Sequence, residues 1–201
     1  MAIISRIALG GESLAQGTAD IMHRAHGLRD DDLLLAVFEE TLTAGKTGDW
    51  ATIGGAIKLA NGKMETYHKI FGVDVKPKLD QAVDTEDLRE TLKYLAQLVY
   101  LEMKGQFKLI MDTKASDFLD SKARFDKARE YYTKVLSGNI KRRDPKRHER
   151  IEAQFIMAEA ALGNPGIFLN LPVMRSDLKK FAVATKTIED EVGAVYTYFK
   201  E

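Results

Sequence analysis

The chain has 201 residues, 45% of them hydrophobic and 30% charged, a composition that supports a packed core rather than a disordered segment. Lys+Arg and Asp+Glu both number 30, so no global field draws the protein to nucleic acid or to an acidic membrane; any such attraction has to be local. The absence of cysteine excludes disulfides, Cys-ligated zinc, iron–sulfur clusters and thiol nucleophiles.

The first ten residues carry Arg6 inside an apolar stretch and do not resemble a secretory signal. No window approaches about 18 consecutive apolar residues. The expectation is a soluble, cytoplasmic protein without membrane insertion. Residues 1–28 form an N-terminal segment to which no element is assigned. Asp30-Asp31-Asp32 then precedes Leu33–Phe38, an acidic start that suits the positive end of a helix dipole, and Gly45 ends that helix. A second helix opens at Asp49. Trp50, Ile53, Ile57, Ala60, Met64, Tyr67 and Phe71 recur every three or four residues as one buried stripe, which Asn61-Gly62 interrupts. Residues 30–71 therefore read as a first helical hairpin.

Gly72 to Pro77 reads as a connection. Asp84 or Thr85 is the expected cap of the clearest helix, with Leu88, Leu92, Leu95, Val99, Met103 and Ile110 on one face. Ser116 is the expected start of the next, with Phe118, Phe125, Ala128, Tyr132 and Val135 inward and Gly138-Asn139 closing it. These two make a long helical pair over 84–137. Asp144-Pro145 is a strong helix start, followed by the stripe Ile151, Phe155, Ala158 and Leu162, and Gly163-Asn164-Pro165 stops it. Ser176 is the expected cap of the last helix, with Leu178, Phe181, Ile188, Val192, Val195 and Phe199 on its apolar face. The four prolines, Pro77, Pro145, Pro165 and Pro172, all fall where helical patterns stop or start.

The predicted fold is all-α: six to seven helices in one domain over 1–201, packed as an orthogonal or up-down bundle. An open array of helix hairpins is the alternative. Ala128, Tyr132 and Val135, then Ala158, Leu162 and Gly163, faintly resemble the small and aromatic positions of tetratricopeptide helices. The likeness covers one helix pair, and no period of about 34 residues recurs elsewhere, so no repeat family is assigned.

Two surface features and one constellation are candidates for function. Lys141, Arg142, Arg143, Lys146, Arg147 and Arg150 make the densest charge cluster, interrupted by Asp144 and Glu149. Read as a loop and a first helical turn, it joins free N–H groups to flanking guanidinium groups that suit phosphate or carboxylate. No aromatic is interleaved, so base stacking lacks a platform, and a protein partner or a phosphate backbone fits better than single-stranded nucleic acid. The second feature is the apolar loop 163–172, in which Ile167, Phe168, Leu169 and Leu171 either plug the bundle or form a docking patch.

The constellation is a pair of acid-x-x-His spacings, Glu65 with His68 and Asp20 with His23, with His26 a further three residues on. Residues three apart share a helix face, and such pairs, joined by a glutamate such as Glu102, Glu39 or Glu40, hold iron, manganese or zinc in carboxylate–histidine bundles. With 30 acids in 201 residues, four histidines give about 0.6 such spacings by chance, so two carry little weight. No phosphate loop, dinucleotide fingerprint, nucleophile elbow or His-Glu-x-x-His pair occurs, and no catalytic residue or cofactor is nominated. The expected function is a non-enzymatic helical interaction protein that binds a protein partner, or itself, through the basic cluster and the apolar loop. A carboxylate–histidine metalloprotein and a phosphate-backbone nucleic-acid binder are the alternatives.

Overall fold

The computed structural model describes residues 33–166 and 173–197. These residues form helices and their connections, with no strand beyond an isolated antiparallel bridge between Asn164 and Met174. The fold is all-α, and no described helix is long and apolar enough to cross a membrane. Cα proximity divides the chain into two compact units, one running to Thr66 and including Asp74–Leu95, the other made of Tyr67–Val73 and everything from Ala96.

In the first unit, α1 (Leu33–Gly45) and α2 (Trp50–Leu59) pack as a hairpin. Asp49 caps α2: its carboxylate accepts the Thr52 N–H at 3.1 Å and the Thr52 hydroxyl at 2.7 Å, and these bonds hold it below the usual carboxylate range. Gly45 ends α1 against Leu88, where a Cβ would lie 2.6 Å from Leu88 Cδ1. Asn61-Gly62 does break the helix: α2 gives way at Ala60, and α3 (Asn61–Phe71) begins. The stripe survives the break, with Ile53, Ile57, Ala60 and Met64 all buried.

The connection expected before Pro77 contains a further helix, α4 (Lys76–Asp84). Pro77 sits in its first turn, where the missing N–H costs nothing, and Val75, Leu79 and Ala82 bury its inner side. Asp84 is its last residue and Thr85 its C-cap, so neither caps the next helix. Asp87 does, accepting the Glu90 N–H at 3.0 Å at the head of α5 (Leu88–Asp112). Glu86 takes the left-handed φ of 52° that turns the chain between them.

The second unit holds most of α5 and α6 (Phe118–Tyr131), α7 (Ser137–Arg143), α8 (Pro145–Ala161) and α9 (Leu178–Val195). Asp117, not Ser116, caps α6, and Asp177, not Ser176, caps α9; each accepts the N–H three residues on. Asp144 caps α8 with Pro145 behind it, as the sequence implies. Gly138-Asn139 closes nothing, because a π turn, Tyr132–Leu136, carries α6 straight into α7. That turn inserts one residue into the inward face. Tyr131, Tyr132, Leu136 and Ile140 are buried, and Leu136 takes the inward place predicted for Val135.

The core of this unit is aromatic. Phe107, Phe125, Phe155 and Phe181, from α5, α6, α8 and α9, are each at most 2% exposed, with ring centroids 5.9–6.4 Å apart in tilted and edge-on pairs. Tyr132 joins at 5.2 Å from Phe155. Helices α8 and α9 run antiparallel, tied at one end where the Asp177 N–H donates to the Ala161 carbonyl at 2.8 Å. The chain between them leaves and returns through the Asn164–Met174 bridge, with N···O distances of 2.8 and 2.7 Å.

Gly163 makes that exchange possible. Its φ is +81°, and a Cβ there would sit 2.5 Å from the Met174 carbonyl oxygen and 2.9 Å from the Ser176 nitrogen. Gly163→Ala is expected to lower unfolding stability by about 1–3 kcal/mol, because a strained φ and a backbone clash coincide. Gly138→Ala, in α7 with nothing within 4 Å, is expected to raise it by about 0.5–1 kcal/mol. Urea titrations followed by circular dichroism check both; equal midpoints would show that the bridge does not set the helix exit.

Candidate functional site

The six cations of the basic cluster do not form one loop. Lys141, Arg142 and Arg143 occupy the last turn of α7, where positive charge is favoured by the dipole. Lys146, Arg147 and Arg150 lie in the first turns of α8. Asp144 stands between them as the C-cap of α7 and the N-cap of α8, and its carboxylate accepts the Arg147 N–H at 3.0 Å. The helix start expected to cradle an external anion thus already holds one of its own.

The cluster also divides by what each side chain touches. Arg150 grips Glu191 of α9 with two bonds, Nε to Oε1 at 3.0 Å and Nη2 to Oε2 at 3.2 Å. Arg147 Nε lies 3.0 Å from Glu191 Oε2 as an ion pair, without the alignment of a hydrogen bond. Arg142 is held along its own helix by Asn139 Oδ1 and the Gly138 carbonyl. Lys141, Arg143 and Lys146 are exposed and make no ion pair with any described carboxylate. Half of the cluster therefore fastens α8 to α9 or rigidifies α7, and the other half presents uncompensated charge. Nothing in the sequence marks Glu191 as the anchor; it lies 41 residues from Arg150 among several acids of α9.

Beneath this corner lies a tyrosine–histidine pair. Tyr132 is fully buried, and its hydroxyl lies 2.7 Å from His148 Nδ1, with the rings stacked at 6.0 Å. In the tautomer that leaves Nδ1 without a hydrogen, the hydroxyl donates to it; in the other, Nδ1–H donates to the hydroxyl oxygen. Burial pushes the Tyr132 phenol well above its ordinary range, and Glu152 and Tyr196 add to the shift. Tyr196 donates to the Leu136 carbonyl at 2.9 Å, inside the π turn, and burial raises its pKa while Asn139, Arg143 and Arg142 oppose the rise. By sequence His148 sits inside the charge run, and its role as the polar partner of a core tyrosine has no local signature.

The remaining candidates that are described are not brought together. Asp20, His23, His26, Ile167, Phe168, Leu169 and Leu171 lie outside the described residues. The roots of the apolar loop are described: Gly166 donates to Asn164 Oδ1 at 3.1 Å, and Val173 and Met174 are 73% and 53% exposed. Glu65 and His68 lie exposed on α3, whereas Glu102 is fully buried on α5 with Gln106 Nε2 donating to it at 2.9 Å. Among the described residues no three His, Asp or Glu side chains are grouped so as to hold a metal ion. Glu39 is exposed and Glu40 half-buried on α1.

No protein-family model matches the sequence, and no curated protein or solved structure matches it. The functional reading therefore rests on this chain's own geometry.

Two outcomes test the buried tyrosines. Tyr132→Phe removes the hydroxyl bonded to Nδ1, so the nitrogen chemical shifts of His148 are expected to move as its tautomer balance changes, with a stability loss of about 1 kcal/mol. An unchanged ring spectrum would show that the tautomer is set elsewhere. Tyr100, Tyr132 and Tyr196 all hold their protons in the folded chain past the ordinary value of 10.0. The unfolded chain loses them first, so their contribution to stability is full below pH 10 and declines as pH rises beyond it. Denaturant midpoints measured from pH 8 to about pH 11 should fall only above about pH 10.

Proposed function

We propose that this protein is a non-enzymatic interaction module that binds an acidic protein partner through the corner where α7 meets α8. The observation that carries the reading is the division within the basic cluster. Lys141, Arg143 and Lys146 stand exposed without a described carboxylate partner, on two helix ends that Arg147, Arg150 and Glu191 hold in place. Like charges gathered on a fixed support repel one another, and an acidic surface relieves that repulsion. The exposed Val173 and Met174 lie at the opposite end of α8, about 24 Å along the helix, and are no part of this corner. Phosphate backbones satisfy the same charges, but no stacking platform accompanies the cations.

Fluorescence anisotropy with a labelled glutamate-rich peptide tests this. The native chain is expected to bind at low salt, and a variant combining Lys141→Glu, Arg143→Glu and Lys146→Glu is expected to lose at least tenfold in affinity with unchanged circular dichroism. Equal binding by the two would remove the corner from the reading. Tighter binding to DNA of random sequence than to the peptide, with a steep salt slope, would assign the corner to nucleic acid instead.

A further inference from the structure

The outward side of α8 is apolar where a solvent-facing helix surface is normally polar. Ala153, Ile156, Met157 and Ala160 follow the i, i+3, i+4, i+7 spacing of one helix face, and all four are exposed. This is a second stripe, opposite the inward set Ile151, Phe155, Ala158 and Leu162. Ile156 and Met157 are 60% and 56% exposed, and Leu119 on α6 and Val183 on α9 are 59% and 67% exposed. Three charges of α8 are turned aside: Glu152 pairs with Arg129 of α6 at 3.0 Å, Glu159 with Lys122 of α6 at 3.2 Å, and Arg150 with Glu191 of α9. Between those flanks the stripe carries no charge from Ala153 to Ala160.

We propose that this face is a two-fold interface on which α8 of a second copy of the chain packs antiparallel. The order of side chains selects that occupant. Read outward, the stripe is small, large, large, small, and it is symmetric about the point between Ile156 and Met157. An antiparallel copy centred there sets Ala153 opposite Ala160 and Ile156 opposite Met157, so the two large side chains meet at the two-fold axis and one patch serves both copies, as in an isologous contact. In that register Glu149 and Arg150 lie beyond Ala161, the last residue of the facing α8, so they meet no like charge of that helix. Antiparallel helices also oppose their dipoles favourably, and the chain's balanced charge leaves no net repulsion between copies.

The size of the face sets the strength. The large exposed side chains Leu119, Ile156, Met157 and Val183 offer on the order of 100 Å² of apolar surface each. Two copies then bury roughly 800 Å² from these side chains, with the alanines adding to it, below the size of a permanent interface. The dimer is reversible and concentration-dependent. It uses neither Lys141 nor Arg143, so it stands or falls apart from the acidic-partner reading.

Sedimentation equilibrium of the full chain from about 1 μM to about 1 mM tests it. A monomer–dimer equilibrium is expected, and the double variant Ile156→Lys/Met157→Lys should stay monomeric with an unchanged helical spectrum. If that variant loses helix, Ile156→Ala/Met157→Ala keeps helix propensity and should weaken the dimer at least tenfold. Because the native chain has no cysteine, engineered cysteines read the register directly. Chains with Ala153→Cys should cross-link to chains with Ala160→Cys on oxidation, and neither should cross-link to itself. A monomer at every concentration, a dimer that survives loss of Ile156 and Met157, or self-cross-linking by Ala153→Cys would each overturn the proposal.

Discussion

Everything described in the second unit depends on four phenylalanines meeting at one point. Phe107, Phe125, Phe155 and Phe181 come from four helices and touch through edges and tilted faces rather than flat stacks. Rings at such angles interlock, because the positive edge of one meets the negative face of another. Each helix is thereby fixed in rotation as well as in position. Phe155 fixes α8 in this way: one side of the helix faces the rings, its acids lean towards α6, its arginines towards α9, and Ala153, Ile156, Met157 and Ala160 are left outside. The basic corner follows from the same constraint, since α7 and α8 leave the core at the place Tyr132 and Phe155 allow.

Five of the described helices start by a single rule, while α4 and α7 have no side-chain cap. Asp49, Asp87, Asp117, Asp144 and Asp177 each accept the backbone N–H three residues on. The sequence shows the helices clearly, because their stripes recur at the right spacing, but it places some caps too early. At Ser116-Asp117 and Ser176-Asp177 both residues are competent caps, and only the one immediately before the first helical residue reaches the free N–H. The short helix α4 was hidden for another reason. Lys76-Pro77-Lys78 opens it with two charges and a proline, and its buried contribution amounts to Val75, Leu79 and Ala82. Pattern reading needs more apolar positions than these nine residues supply.

The surface was less legible than the core. Six cations in ten residues announce themselves, but their division into bound and unbound halves depends on Glu191, which tertiary packing alone brings to Arg147 and Arg150. His148 belongs by sequence to that charged run and by structure to a core tyrosine. The outward stripe of α8 was in plain view as Ala153, Ile156, Met157 and Ala160, yet it merges with the inward stripe until burial separates the two. A helix apolar on both sides looks like a buried one when only its composition is read.

The π turn at Tyr132–Leu136 bears on how this chain tolerates change in length. An α-helix advances about 100° per residue, and the π turn takes up one residue more than an α turn does, so deleting one residue within it would leave a continuous α-helix with α7 still facing the core. Ile140 would stay inward, and Lys141 and Arg143 would keep their places. The same deletion in α6 or α7 proper would turn everything beyond it by about 100°. The turn holds a residue of slack, so a single-codon deletion there is absorbed locally, whereas one a turn away would move a whole surface at once.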